Sequence, residues 1–320
     1  MRQKLVPRPA VTGEAVRPGE QAGRLRARRP KWHLGFEQWA LVPLLIFLLL
    51  FVVYPVAELI RMSFSTVTMS GGAFIWSFSG LANFNTMRSD PIFLIAVLNT
   101  ILFVALTVAV QIGLGTMLAL MVVRARWLQR LARNVLLWPA IMTPVAISAI
   151  WWLILTPEMG LLNRVLSALG LPRQAWLAST TWALPALMLV DIWHWTPLVF
   201  LLVLVGLTSI DPSLYEAARV DGASEWQGLR HITLPLLKPT IVVAAMLRTI
   251  LGFKVFDEIY VLTGGGPATS TQVISSYVQN VFFGQFQMGY GAFLGLVVTL
   301  VVVLAVALYL PVLARGGTRT

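Results

Sequence analysis

Long apolar runs separated by short polar stretches set the pattern of this chain. Runs near 39–60, 93–123, 135–155, 182–207, 241–260 and 291–310 each approach the roughly 20 residues a helix needs to cross a hydrocarbon core. Trp39 and Tyr54 stand where interface aromatics belong in the first. The second is long enough to tilt or to protrude. The third is interrupted by Pro139 and Pro144. The pattern predicts an all-α polytopic membrane protein with six transmembrane helices.

The polar stretches set its orientation. Residues 1–37 carry nine Lys/Arg with scattered Pro and Gly and no apolar period, which predicts a disordered basic tail. A loop over 61–92 holds Gly71, Gly72, Trp76 and Gly80; another spans 156–181. Arg124, Arg126, Arg130 and Arg133 form a short basic loop, and Arg315 and Arg319 close the chain. Eighteen of the 24 Lys/Arg fall in the tail, at 124–133, at 209–240 and at the C-terminus, against four in the opposite loops (Arg61, Arg88, Arg164, Arg173). That asymmetry places both termini and the 209–240 loop in the cytoplasm.

Composition agrees. Apolar residues make up 58% and charged residues 12%, with mean hydropathy +0.79, far from a soluble domain. There are no cysteines, hence no disulfide framework or thiolate metal site. The net charge of +11 would suit nucleic acid, but its distribution marks topology and contact with anionic lipid instead. No nucleic-acid partner is expected.

The longest polar interruption has its own pattern of helix, break and helix. Pro212 and Ser213 suit a helix start, and 214–219 reads as a short helix. Gly222 suits its end, since glycine takes positive φ without steric cost. Ser224 with Gln227 fits a capping box. Pro235 and Pro239 are expected to break whatever follows. Such a loop has the shape of a docking knob.

Here a family resemblance enters. Glu216, Ala217, Ala218, then Gly222 after three residues, then Ile232, Thr233, Leu234 and Pro235 after nine more, match the EAA loop of membrane subunits of bacterial binding-protein-dependent ATP-binding-cassette importers. The resemblance covers roughly 90–312. Leu81–Phe84, LANF, resembles a phrase this family carries before its core, and Gly160–Asn163 resembles its extracytoplasmic loop. The resemblance implies the type I importer transmembrane-domain fold. It implies that Glu216, Ala217, Ala218, Asp221, Gly222, Ile232, Leu234 and Pro235 couple to an ATPase groove. It also implies the partners: a second homologous permease, two ATP-binding-cassette subunits and an extracytoplasmic solute-binding protein. ATP and Mg would be bound by the partner ATPase, with no cofactor on this chain.

The chain's own chemistry is sparse. Its four lysines, Lys4, Lys31, Lys238 and Lys254, lie in no P-loop, so it is not expected to be an ATPase or other enzyme. His33, His194 and His231 lack metal-ligand spacing, and no metal is expected. Gly264–Gly266 before Pro267 reads as a turn at a helix end.

Polar and ionisable groups inside a span are costly, so each is a site candidate. Asp191, His194, Trp195 and Leu198 follow i, i+3, i+4, i+7 spacing and share one helix face. A carboxylate, an imidazole and an indole together suit a carbohydrate. Equally, Trp193 and Trp195 would pack between helices while Asp191 pairs internally with Arg248 or Lys254; both readings stand. In maltose-transport relatives, sugar contacts come from a stretch with the same Trp-x-x-x-Pro frame, here Trp193 and Pro197. The relative has Asn at the position of Asp191 and small or apolar residues at those of His194 and Trp195. The 248–267 stretch resembles the first of the two permeases of carbohydrate importers, which implies cavity-facing roles for Arg248, Leu251, Gly252 and Val255. Residues 281–291 resemble sugar and polyol systems.

The expected organisation is a basic tail (1–37), a first span with its outer loop (38–92), a permease core (93–312) holding the coupling loop (209–240), and a C-terminal tail (313–320). The expected function is that of the membrane subunit of an ATP-driven sugar or polyol importer in the bacterial inner membrane. The alternatives are an importer of a non-carbohydrate solute, an ion-coupled secondary transporter using Asp191, and a membrane scaffold.

Overall fold

A computed structural model describes residues 36–124 and 136–317. The basic tail expected over 1–37 lies almost wholly outside them, as do Arg126, Arg130, Arg133 and Arg319. The described part of a first unit is helical: α1 (Phe36–Leu48) and a π turn (Leu49–Val53), with nearly every described apolar side chain exposed. A second unit begins at Tyr54.

In that second unit α2 (Tyr54–Ser63) leads into β1 (Ser65–Ser70) and β2 (Ala73–Phe78), an antiparallel pair joined at Gly71–Gly72. The sequence pattern predicts a plain loop over 61–92. The correction has a local cause: both turn glycines take positive φ, +59° and +82°, which two-residue hairpin turns demand. Then come α3 (Ala82–Ser89), α4 (Pro91–Arg124), α5 (Trp138–Ile141), α6 (Pro144–Leu155) and α7 (Leu161–Ala168). After these follow α8 (Ala183–Thr208), α9 (Pro212–Val220), α10 (Glu225–Gly228), α11 (Leu234–Phe253) and α12 (Asp257–Leu262). The chain ends in α13 (Ile274–Gln279), α14 (Met288–Ala307) and α15 (Leu310–Gly317).

Among the described residues five helices are long and apolar enough to cross a membrane: Leu41–Ser63, Pro91–Val123, Ala183–Thr208, Glu225–Phe253 and Met288–Leu313. The third hydrophobic run is broken into α5 and α6, as its prolines imply. Pro144 opens α6 behind a Thr143 cap whose hydroxyl oxygen accepts from the Ala146 N–H. In lipid every backbone group must be satisfied within the chain, so these runs have little choice but to be helical.

The fifth run differs from expectation. Pro235 and Pro239 do not break it: a π turn (Leu229–Thr233) joins α10 to α11, Pro235 sits in the first turn of α11, and Pro239 lies inside it. The wider turn carries the local loss of a regular bond, with the Leu234 N–H reaching back to the Leu229 carbonyl. The helix stops at Phe253 instead of running to residue 260. There the Ser275 hydroxyl donates to the freed Val255 carbonyl.

Among the described residues three apolar clusters hold the unit. One joins Phe103, Ile147, Leu187, Val190 and Ile259; a second joins Ala119, Phe200, Leu204, Leu237 and Ala244; a third joins Ala96, Tyr277, Tyr290 and Leu294. α4 and α8 approach closely at Gly115, where an added Cβ would lie 2.7 Å from a Val199 methyl and 2.9 Å from the Phe200 nitrogen. Small residues at such crossings let membrane helices pack backbone to backbone.

Candidate functional site

The polar loop between α8 and α11 forms a capped, exposed knob. Asp211, not Ser213, is the N-cap of α9: its Oδ1 accepts the Ser213 N–H at 2.9 Å, and Pro212 fills the first turn. At the other end Gly222 (φ +79°) reverses the chain. The Ala223 N–H bonds the Ala218 carbonyl at 2.9 Å and the Gly222 N–H bonds that of Arg219 at 3.0 Å, a Schellman stop. Ser224 and Gln227 then exchange two bonds, 2.7 and 3.3 Å, in the expected capping box. The Tyr215 hydroxyl lies 3.0 Å from that of Thr233 and fastens α9 to the base of α11. Glu216, Ala217, Asp221, Gly222, Leu234 and Pro235 are exposed; Ala218 and Ile232 are half-buried. Leu214, Trp226 and above all Val220, 88% exposed, stand uncovered among charges. A rigid helix showing large apolar side chains in a polar setting has the surface of a docking element.

The long helices enclose a polar network. The Asp191 Oδ2 on α8 accepts from Arg248 Nη2 on α11 at 2.8 Å and from Gln111 Nε2 on α4 at 2.8 Å. The same Gln111 nitrogen donates to the Asp191 main-chain oxygen at 2.9 Å, and Gln111 Oε1 accepts from Arg248 Nε at 2.7 Å. Three helices are thus joined by a closed ring of charge-assisted bonds. His194 Nδ1 lies 3.1 Å from Glu258 Oε1 on α12. The Trp195 ring connects the two pairs: Arg248 Cζ is 5.1 Å from its centroid and the His194 ring 4.6 Å. Asp191, His194, Arg248, Gln111 and Glu258 are all buried.

Of the residues singled out for a substrate path, Asp191, His194, Trp195 and Arg248 come together. Leu198 is half-buried on the same helix and Leu251 is exposed. Gly252 lies against Val104, where a Cβ would meet a methyl at 3.1 Å, and Val255 belongs to the apolar core. Trp193 makes an edge contact with Trp151, ring centroids 5.7 Å apart. In this conformation the Asp191 carboxylate and the Arg248 guanidinium are occupied by each other and by Gln111.

Sequence reasoning missed Gln111 and Glu258. Gln111 was legible as an amide within an apolar 34-residue helix. Glu258 was hidden because the fifth apolar run extends across it; it supplies a second buried carboxylate beside Asp191.

A multi-helix membrane protein with an exposed, double-capped helix on one side and a buried ionic cluster between its helices belongs to the class of polytopic transport subunits. The family described as "Binding-protein-dependent transport system inner membrane component" matches residues 111–315. The permease protein SmoG of the sulfoquinovosyl glycerol transport system of Agrobacterium fabrum is 37% identical over 276 residues, covering 85% of this chain and 88% of that protein. The permease protein MalF of the trehalose/maltose transport system of Thermococcus litoralis is 35% identical, covering 83% and 88%. A crystal structure of a bacterial alginate ABC transporter in complex with an alginate pentasaccharide-bound periplasmic protein contains a chain of TM-score 0.73 and 26% identity, covering 85% of this chain and 91% of that one. The chain belongs to the binding-protein-dependent transport system inner membrane component family. It is a multi-pass transport subunit with the type I ABC importer permease fold.

Proposed function

We propose that this chain forms half of the translocation path of an ATP-driven importer of a sugar or polyol, and that it couples to a separate ATPase through α9. One observation carries the reading: the exposed helix bearing Glu216, Ala217 and Ala218 is stiffened at both ends and joined, through the capping box and π turn, to the helix that bears Arg248. A push on α9 is therefore delivered to the buried cluster without a flexible link.

In this reading both termini and α9 face the cytoplasm, and residues 93–312 form the permease core. A second, homologous permease completes the path, two ATP-binding-cassette subunits bind ATP and Mg, and Glu216 meets a basic residue of the ATPase groove. Ala217, Ala218, Asp221, Gly222, Ile232, Leu234 and Pro235 shape the knob. Closure of the ATPase pair turns this chain against its partner permease and opens the path outward, where a solute-binding protein delivers the solute. The solute meets Asp191, His194, Trp195, Leu198 and Arg248, with Leu251, Gly252 and Val255 along α11 and its exit. The sugar transport systems among the relatives support the substrate class, and the Trp195 face beside hydrogen-bonding groups supports it chemically.

The test is uptake into proteoliposomes holding the purified complex, with ATP inside and binding protein outside, against a panel of sugars and polyols. ATP-dependent uptake that is lost in Glu216→Ala and Gly222→Asp is expected. Uptake intact in both variants overturns the coupling role. The buried His194–Glu258 pair favours a second reading, proton-coupled transport; uptake driven by a pH gradient without ATP would establish it instead.

A further inference from the structure

One member of the buried ring has no part in the function above. Gln111 of α4 is fully buried between Asp191 of α8 and Arg248 of α11. Its Nε2 donates to the Asp191 Oδ2 at 2.8 Å and to the Asp191 main-chain oxygen at 2.9 Å, and its Oε1 accepts from Arg248 Nε at 2.7 Å. Asp191 and Arg248 also bond each other directly at 2.8 Å. The three members are therefore not equivalent. Withdrawing either ionic side chain strands a buried charge, which is costly. Withdrawing the neutral amide strands none and forfeits only hydrogen bonds, which an incoming group can replace.

The ring also stands at the edge of a space. α4 and α11 border a cleft of about 400 Å³, lined by Val104, Val108, Ile112, Ala245, Thr249 and Tyr309 among others. On α4, Gln111 follows Val108 by nearly one turn and precedes Ile112. On α11, Arg248 follows Ala245 by nearly one turn and precedes Thr249. The polar groups of the cleft wall are the Thr249 and Tyr309 hydroxyls, 2.8 Å apart. A cleft of this size holds a small solute.

Chemistry sets what can replace the amide. The incoming group must bring two donors to the Asp191 oxygens and one acceptor to Arg248, without adding charge. A vicinal diol does this: each hydroxyl donates once, and one of the two oxygens accepts from the guanidinium. A carboxylate, sulfonate or phosphate supplies the acceptor but meets Asp191 with like charge, and an ammonium group has no acceptor for Arg248. The half-buried Trp195 ring, 5.1 Å from Arg248 Cζ, adds a flat apolar face for the carbon skeleton.

We propose that Gln111 is a specificity-determining residue: its amide holds the place of a vicinal diol, and the solute binds by displacing it, so that the path accepts neutral polyhydroxy solutes and excludes anionic ones. The proposal rests on the importer reading and narrows its substrate class.

The experiment is equilibrium binding to the purified complex in nanodiscs without binding protein. The radiolabelled probe is the neutral sugar or polyol taken up fastest in the uptake panel. 1,2-Propanediol competes against its isomer 2-methoxyethanol, which is equal in formula but has one hydroxyl methylated. The diol is expected to displace the probe at least about tenfold more effectively. Gln111→Ala is expected to bind the probe about tenfold more tightly than the wild type, because the solute no longer competes with an internal group, while the stability of the complex falls. A residue that only fastened helices would lower stability without tightening binding. Gln111→Ser repeats the measurement, so that misassembly of one variant does not decide the result. Equal competition by the two isomers overturns the proposal, as does probe binding that is unchanged or weaker in both variants, or ATP-dependent uptake of a uronate as fast as that of its neutral parent sugar. A panel in which ATP drives the uptake of no solute would instead refute the importer reading itself.

Discussion

Removing the Asp191 carboxylate exposes the logic of the buried cluster. Arg248 is 1% exposed, and its charge is balanced at 2.8 Å by Asp191. Asp191→Ala leaves that guanidinium buried without a counter-ion and takes an acceptor from Gln111. Breaking a buried pair on one side costs about 3–5 kcal/mol, which is a shift of roughly two to three and a half decades in the folding equilibrium. Replacing both partners, as Asp191→Leu with Arg248→Met, removes the stranded charge. Gln111 then keeps its 2.9 Å bond to the main-chain oxygen of residue 191 but leaves its Oε1 without a donor, a residual cost of about 1–3 kcal/mol. The double variant is therefore expected to be more stable than the single one. The assay is reversible unfolding in mixed micelles titrated with a denaturing detergent, followed by tryptophan fluorescence, to which Trp195 beside Arg248 contributes. A single variant within about 0.5 kcal/mol of the wild type would mean that water reaches the pair, and the argument from burial would fail. Uptake by the double variant then separates roles: a stable complex that no longer transports places the pair on the solute path, and one that still transports leaves it a helix fastener.

Three further outcomes follow from the geometry. Gly222→Val forces a β-branched residue into φ +79°, at a cost of roughly 1–2 kcal/mol; weaker amide protection at the end of α9 and reduced ATP-driven uptake are expected, and unchanged values of both would refute the lever. Gly115→Val drives methyls into Val199, already 2.7 Å from an ideal Cβ, and is expected to cost about 1–3 kcal/mol in the detergent titration. Burial raises the Asp90 carboxyl, but hydrogen bonds from Tyr277, Tyr290 and the Phe93 and Ile92 N–H groups together hold it below its ordinary value, while burial and Asp90 push the Tyr277 hydroxyl up. The Asp90 contribution is thus full above the unfolded value of about 3.9 and lost as pH falls through the lowered folded value. That of Tyr277 is full below about 10 and lost as pH rises through the raised one. Stability of this contact is expected to be flat from roughly pH 5 to 9; a slope there that Asp90→Asn removes would contradict the assignment.

Hydropathy made the long helices legible because lipid leaves the backbone no other way to satisfy itself, and α4 and α8 fall within two residues of the runs that announced them. The knob was legible for a different reason. Gly222, Ser224 and Gln227 act within one turn of their own positions, so local chemistry decides them. The hairpin is encoded in Gly71–Gly72 flanked by Thr66–Val67–Thr68 and Phe74–Ile75–Trp76, but that alternation is weak beside the two strong apolar runs that flank it. Pro235 and Pro239 misled because the chain carries them through a π turn and into α11 without a break, Pro235 falling in the first turn where a missing N–H is tolerated. The cluster was half legible. Spacing put Asp191, His194 and Trp195 on one face, yet their partners Gln111, Arg248 and Glu258 come from other helices, and no periodicity within α8 names them.

The most direct measurement is to extract the chain from its native membrane in mild detergent and identify, with stoichiometry, what accompanies it. The account predicts a second multi-helix permease and two copies of a P-loop ATPase, with the ATPase released by Glu216→Lys. Reproducible recovery of this chain alone, or only as a homo-oligomer, would contradict it.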